Sequence, residues 1–272
     1  MGSANEDTGG TMVLNEDLWL GVWVRSRSLG TSFCRSQELG RLRPPVTLVF
    51  REAFQPPGGA SAADDFCPTP VRGGGLYFVS RRAIAGSCGL RDIYFTRFNR
   101  KHGWRQPAHL GCAPQGPNSA LDEQGPSYVE TEVGAQLYFP RSSGVVLGDI
   151  FVSTRFGDGS FGPAVAVGEL NDAAANDIQP NVRKDGREVV FSSNRTGSVE
   201  SSQDVWVSTR ASVVDAWSTP VNVGRTVNTA AAETRPSLSW DARTLLFGRM
   251  PGPEGMTDIY ISTRERVTGS GG

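Results

Sequence analysis

The chain has 272 residues, of which 27 are basic and 28 acidic, so its formal charge is −1, with both signs mixed along its length. No field of one sign is available to attract nucleic acid or an anionic membrane, and no run of about 18 apolar residues is long enough to span a bilayer. The 33 glycines and 17 prolines interrupt short runs of aromatic and β-branched residues, a pattern of many short strands rather than long helices.

In chain order, residues 1–11 read as a disordered tail or a vector-derived scar headed by Met-Gly-Ser, residues 12–267 as a single domain, and residues 268–272 as a second tail. Between 12 and 50 lie strand-like runs, Asp17-Leu-Trp-Leu20, Val22-Trp-Val-Arg25 and Pro44-Pro-Val-Thr-Leu48. From Asp65 onward the chain repeats itself in units of about 55 residues, a period that marks stacked or radial architectures. Each unit opens with an acid three residues before a proline, at Asp65, Glu123, Asp177 and Glu233. An apolar strand ending near an arginine follows, at Arg82, Arg141, Arg195 and Arg249. Next come Asp92-Ile-Tyr-Phe-Thr-Arg97, Asp149-Ile-Phe-Val-Ser-Thr-Arg155, Asp204-Val-Trp-Val-Ser-Thr-Arg210 and Asp258-Ile-Tyr-Ile-Ser-Thr-Arg264. An aromatic residue and a proline then open a fourth strand at Trp104/Pro107, Phe161/Pro163 and Trp217/Pro220.

Alternation along the third strand puts Ile259 and Ile261 on one face and Tyr260 and Ser262 on the other, with both faces expected to meet neighbouring sheets. One four-stranded sheet cannot cover both of its own faces, whereas several packed around an axis can. The expected fold is an all-β propeller of four-stranded antiparallel blades. The last unit lacks a fourth strand, and residues 44–48 are expected to supply it and close the ring. Residues 12–50 hold enough strand-like sequence for most of another blade, so five blades are favoured over four.

The repeat resembles the TolB-type, WD-repeat-like β-propeller family. The resemblance is carried by Pro180-Asn-Val-Arg-Lys-Asp-Gly186, Val189-Val-Phe-Ser-Ser-Asn-Arg195 and Asp204-Val-Trp-Val207, echoed by Pro236-Ser-Leu-Ser-Trp-Asp241 and Asp258-Ile-Tyr-Ile261. It covers about residues 65 to 265 and departs over the first 60. It implies a propeller, and it leaves function open, since relatives include interaction modules, peptidase-associated propellers and sugar-active enzymes.

In such a blade the innermost strand lines the axis. Asp65, Glu123, Asp177 and Glu233 start that strand and Arg82, Arg141, Arg195 and Arg249 follow the second, so both sets are expected at one mouth of the channel. Two readings follow. Either each acid pairs with an arginine and holds the blades together, or the ring takes a polar ligand, with arginine forks for carboxylates or hydroxyls and unpaired acids for proton transfer. The second blade departs from the repeat with Tyr128, Glu130 and Glu132. Glu130, with Glu123, is the candidate general acid or base, and Tyr128 joins the candidate ligand set.

His102 and His109 flank one outer strand and do not converge with the axial acids, so neither a metal site nor a histidine triad is expected. Gly157-Asp-Gly-Ser-Phe-Gly162 matches a dinucleotide fingerprint in letters, yet it lies between two strands and reads as a hairpin turn. No cofactor is expected. Cys34, Cys67, Cys88 and Cys112 lack CxxC spacing. They read as disulfides, Cys88 with Cys112 and Cys67 with Cys34, which fits a secreted or periplasmic protein. The functional expectation is a monomeric module that binds a small polar molecule, a glycan or a protein at the channel mouth. The alternative is a hydrolase, lyase or cyclising enzyme acting through axial carboxylates and arginines.

Overall fold

A computed structural model describes residues 12–15, 18–20, 65–143, 147–251 and 257–264. Strands β1 (Met12–Asn15) and β2 (Leu18–Leu20) pair as an antiparallel ribbon. The remaining strands form four antiparallel sheets arranged as a four-bladed propeller.

Blade 1 comprises β3 (Asp65–Val71), β4 (Gly75–Ser80), β5 (Asp92–Asn99), β6 (Gly103–Trp104) and β7 (Ala108–His109). Blade 2 comprises β8 (Asp122–Glu123), β9 (Ser127–Thr131), β10 (Gly134–Ser142), β11 (Asp149–Arg155) and β12 (Val165–Ala166). Blade 3 comprises β13 (Asp177–Val182), β14 (Glu188–Ser193), β15 (Asp204–Thr209) and β16 (Val221–Asn222). Blade 4 has three strands among the described residues, β17 (Ala232–Leu238), β18 (Thr244–Met250) and β19 (Asp258–Thr263). The expected fourth strands are present but only two residues long. The expected fifth blade and the closing strand at 44–48 fall on residues 12–50, of which only β1 and β2 are described.

Register repeats from blade to blade. Phe78 faces Tyr94, Phe139 faces Phe151, Phe191 faces Trp206 and Phe247 faces Tyr260 across the second and third strands. Aromatic residues set opposite each other in this way are among the stronger cross-strand pairs. The turns that fix the register use residues suited to them. Gly186 takes φ +70° between β13 and β14, where a Cβ would lie 2.9 Å from Thr131 and Val213 side-chain carbons.

Each pair of consecutive blades encloses its own apolar layer. Tyr77, Val79 and Ile93 of blade 1 pack with Leu137 and Phe139 of blade 2. Tyr138 and Ile150 pack with Val189 and Phe191, and Val190 and Val205 with Phe247. Ile93, Ile150 and Val205 are fully buried, but their counterpart Ile259 is 45% exposed and Ile261 43%. The expectation that both faces of the last blade meet another sheet is therefore not met there. Tyr260 packs inward, and among the described residues no further blade covers the opposite face.

An asparagine after each outer strand ties one blade to the loop that leads to the next. Asn118 accepts from Ile93 N at 2.7 Å and donates to Ile93 O at 3.2 Å. Asn171 does the same to Ile150, at 2.7 and 3.1 Å, and Asn228 to Val205, at 2.8 and 2.9 Å. A primary amide has one acceptor and two donors, so it can replace a missing strand partner at the same residue.

Asn228→Ala leaves the Val205 N–H without its side-chain acceptor and the Val205 C=O with Val223 N–H as its partner, and is expected to cost about 1–3 kcal/mol. Urea unfolding, read as a lower midpoint at unchanged slope, checks this.

Candidate functional site

The four repeated acids and four repeated arginines meet one to one within each blade. Arg82 Nη2 lies 2.8 Å from Asp65, Arg141 Nε 2.8 Å from Glu123, Arg195 Nη2 2.5 Å from Asp177 and Arg249 Nε 2.6 Å from Glu233. Each guanidinium also lies over the aromatic pair of its own blade: Arg82 over Phe78 and Tyr94, Arg141 over Phe139 and Phe151, Arg195 over Phe191 and Trp206, Arg249 over Phe247 and Tyr260. Arg141, Arg195 and Arg249 further donate to the carbonyls of Pro117, Leu170 and Val227, the residues just before the asparagine clamps. The acids are buried. Pairing of this kind satisfies the charges and leaves no open carboxylate at the surface.

Glu123 is the exception in chemistry. Burial pushes its carboxyl up to about 7, and hydrogen bonds from Ser119 together with the Arg141 charge hold it from rising further. Oε1 accepts from Ser119 Oγ at 2.6 Å and from Arg141, while Oε2 is buried without a hydrogen-bond partner. Glu123 and Glu130 stand seven residues apart along β8 and β9, on the order of 20 Å for extended chain. The two candidate catalytic carboxylates are therefore not brought together, since a pair acting on one bond must lie within about 10 Å.

The inner strands leave an axial channel. Its wider part, about 330 Å³, is lined by all four blades, among them Tyr128, Glu130, Arg72, Lys184 and Trp240. Trp240 is exposed and has cations against it, with the Arg72 guanidinium 4.9 Å and the Lys184 ammonium 3.8 Å from its ring centre. Tyr128 stacks on Tyr77 with ring centres 5.1 Å apart. Burial raises the Tyr128 phenol, as does the nearby Glu130 carboxylate, with Arg155 opposing both. A narrower part, about 50 Å³, adjoins the first and shares Thr69, Ser127 and Asn181 with it.

The narrower part is shaped by one backbone device. Cys67, Gly125, Gln179 and Arg235, each two residues after the repeated acid and just before the proline, adopt φ of +49°, +33°, +57° and +53°. The ladder shifts register there in blades 1, 3 and 4, and in blade 2 the inner strand divides into β8 and β9. A bulge re-aims side chains and marks ligand-facing edges in many sheets, and left-handed backbone at a residue other than glycine is strained. The polar residue two positions further on then links neighbouring blades: Thr69 Oγ1 donates to Pro126 O, Ser127 Oγ accepts from Val182 N at 3.0 Å, and Asn181 Oδ1 accepts from Leu238 N at 2.9 Å. Reading the sequence by its acids passed over Arg235, Arg72, Lys184 and Trp240. The signal for Arg235 was a position where the other units carry Cys, Gly and Gln.

Cys88 and Cys112 form a disulfide with Cα atoms 5.7 Å apart. Cys67 is also disulfide-bonded, and its expected partner Cys34 lies outside the described residues. His109 Nε2 sits 3.1 Å from Asp92 Oδ2 and 3.9 Å from Cys88 Sγ. Cys88, His109 and Cys112 could together face a metal ion, but both sulfurs are committed to each other. His102 is in the exposed turn before β6, hydrogen-bonded through its backbone to Asn99. Residues 157–162 form a turn between β11 and β12 with no helix after it, so the glycine pattern has no phosphate-binding geometry. Among the described residues, no helix is long and apolar enough to cross a membrane.

No protein-family model matches the sequence, and no curated protein matches it either. Solved structures do match in fold. A GH43 endo-arabinanase from Bacillus licheniformis superposes with a TM-score of 0.50 at 11% identity, over 94% of this chain and 96% of that one. A putative TolB from Agrobacterium tumefaciens superposes with a TM-score of 0.50 at 14% identity, over 91% of this chain and 70% of that one. At such identities the likeness concerns the propeller, and function has to be argued from the site.

Because Glu123 holds its proton in the folded chain up to about 7 against an ordinary 4.5, folding takes up a proton between those values. Its contribution to stability is complete below 4.5 and is lost as pH rises towards 7. Asp149 and Asp204 are pushed the same way by burial, so the comparison must be made with Glu123→Gln. Wild type is expected to lose melting temperature more steeply than the variant between pH 4.5 and 7 in calorimetry; parallel profiles would refute the assignment.

Proposed function

We propose that the protein is a binding propeller whose axial channel takes a small polar ligand, such as a saccharide, through its wider part. The observation that carries this is the cavity of about 330 Å³ walled by all four blades, with Trp240, Tyr128, Glu130, Arg72 and Lys184 on its lining. A volume of that order suits a small ligand, and a few convergent polar groups beside aromatic faces are what orients one. Tyr128 and Glu130 are the sequence-predicted residues assigned to ligand contact. The four acid–arginine pairs hold the inner strands in place around them.

An enzymatic reading rests on a different feature, the Glu123 carboxyl near 7, since general acids are tuned towards the working pH by burial. Its carboxylate is fully buried, which favours the binding reading. Glu130 is the exposed carboxylate on the channel lining, and turnover, where it occurs, is assigned to it.

Titration of the full chain with a panel of neutral and acidic saccharides, followed by tryptophan fluorescence, tests the proposal. A saturating change that is abolished in Trp240→Ala and weakened about tenfold in Glu130→Gln, at unchanged melting temperature, is expected, a factor ordinary for losing one hydrogen bond to a charged group. Saturable binding that survives Trp240→Ala would place the ligand elsewhere. Assaying the same panel for product, with Glu130→Gln as control, separates binding from turnover.

A further inference from the structure

Arg235 differs from the four arginines that pair with the repeated acids. It stands on the innermost strand of blade 4 and lines the narrow part of the channel with Cys67, Gly125 and Gln179. Its side chain has no hydrogen-bond or ion-pair partner among the described residues, and Nε is buried and unsatisfied. Its backbone is held in place instead, since Arg235 N donates to Gln179 Oε1 at 2.8 Å and the residue carries φ +53°. Arg82, Arg141, Arg195 and Arg249 each have a carboxylate within 2.8 Å. Among the described residues the fold thus supplies an acid for each of those guanidiniums and none for Arg235.

A largely buried guanidinium without a counter-ion is destabilising, and one with a buried, unsatisfied nitrogen calls for an explanation. Burial alone pulls Arg235 down to about 10, which leaves it charged at neutral pH. Next to it is a space of about 50 Å³, room for a few waters or for one oxyanion head. That space opens into the larger cavity through the shared residues Thr69, Ser127 and Asn181.

We propose that Arg235 is the anion-recognition residue of the channel, binding the carboxylate or phosphate group of a small ligand whose hydroxyl-bearing body lies in the wider part against Trp240 and Tyr128. The inference rests on the reading of the channel as the ligand site and narrows the ligand to an acid. Arginine suits the task because its planar fork meets two oxygens of a carboxylate or phosphate at once. Arg72 and Lys184 at the wider end add positive charge on the way in, opposed there by Glu130.

Acetate, inorganic phosphate, D-galactose and D-galacturonate, each added to the full chain, provide the test by calorimetric titration and thermal unfolding. D-galacturonate is expected to bind at least tenfold more tightly than D-galactose. Acetate against phosphate tells which head the narrow space accepts. Arg235→Gln is expected to remove that preference and at least tenfold of the galacturonate affinity, and Arg235→Lys to retain part of it. Unliganded Arg235→Gln is expected to melt at or above the wild-type temperature, since it removes an uncompensated charge, which also shows that the variant folds. Anion binding unchanged in Arg235→Gln, or galactose bound as tightly as galacturonate, overturns the anion assignment and leaves the channel reading intact. Absence of binding by all four probes to the wild type counts against both.

Discussion

A carboxylate and a guanidinium set against two aromatic rings facing each other across the second and third strands frame every blade. The acid fixes the start of the inner strand, the arginine the end of the second strand, and the rings belong to the second and third. Neither charge is tolerable alone in that position. Removing one partner of a buried pair typically costs about 3–5 kcal/mol because the other is left uncompensated. The arrangement therefore locks three strands to one another at one end of the blade, and the orientation of the inner strand follows from it. Since the arginines of blades 2 to 4 also reach the carbonyls of Pro117, Leu170 and Val227, the same unit reaches the connection from the preceding blade.

Two further sets of polar contacts join successive blades. On the outside, Asn118, Asn171 and Asn228 give the third strand a backbone-like partner at a single residue, which suits fourth strands only two residues long. Near the axis, Thr69, Ser127 and Asn181 link the inner strands of blades 1 to 4 in succession, so the channel wall is joined through its own lining. Apolar layers between blades supply the bulk of the burial, as expected where stability is shared between neighbouring repeats. With the wall fixed in this way, the side chains two and seven places after each acid change from blade to blade: Cys67, Gly125, Gln179 and Arg235 in one ring, Arg72, Glu130, Lys184 and Trp240 in the other.

The repeat made the fold legible. Spacing of the acids, arginines and Asp-aromatic strands reflects a backbone unit that recurs physically, and strand order, the short fourth strands and the Cys88–Cys112 bridge follow from it. The asparagine clamp recurs too, five or six residues before Glu123, Asp177 and Glu233, but asparagine in a loop is so often a turn residue that the letter alone carries little weight. The channel was harder to read for a physical reason. Repetition reports what every blade needs in order to fold, so a search guided by it finds the paired charges and overlooks single departures. Tyr128 and Glu130 were visible because they broke a pattern under scrutiny. Arg235 sits in a bulge, where the alternation of inward and outward side chains is reset, and simple period-two reasoning misplaces it.

Arg235 and Glu123 show how burial acts differently on charges with and without partners. The Glu123 carboxyl is driven towards its neutral form, with Ser119 and Arg141 opposing the shift. Arg235 cannot become neutral near pH 7, because a guanidinium pulled down to about 10 is still a cation. Among the described residues no side chain compensates it, and water or an anion brought from outside can do so. Gln179, whose side chain meets the backbone of Arg235, brings no charge to it. The neutral amide at that place keeps Arg235 in position without discharging it, which is the condition under which binding an external anion gains the most free energy.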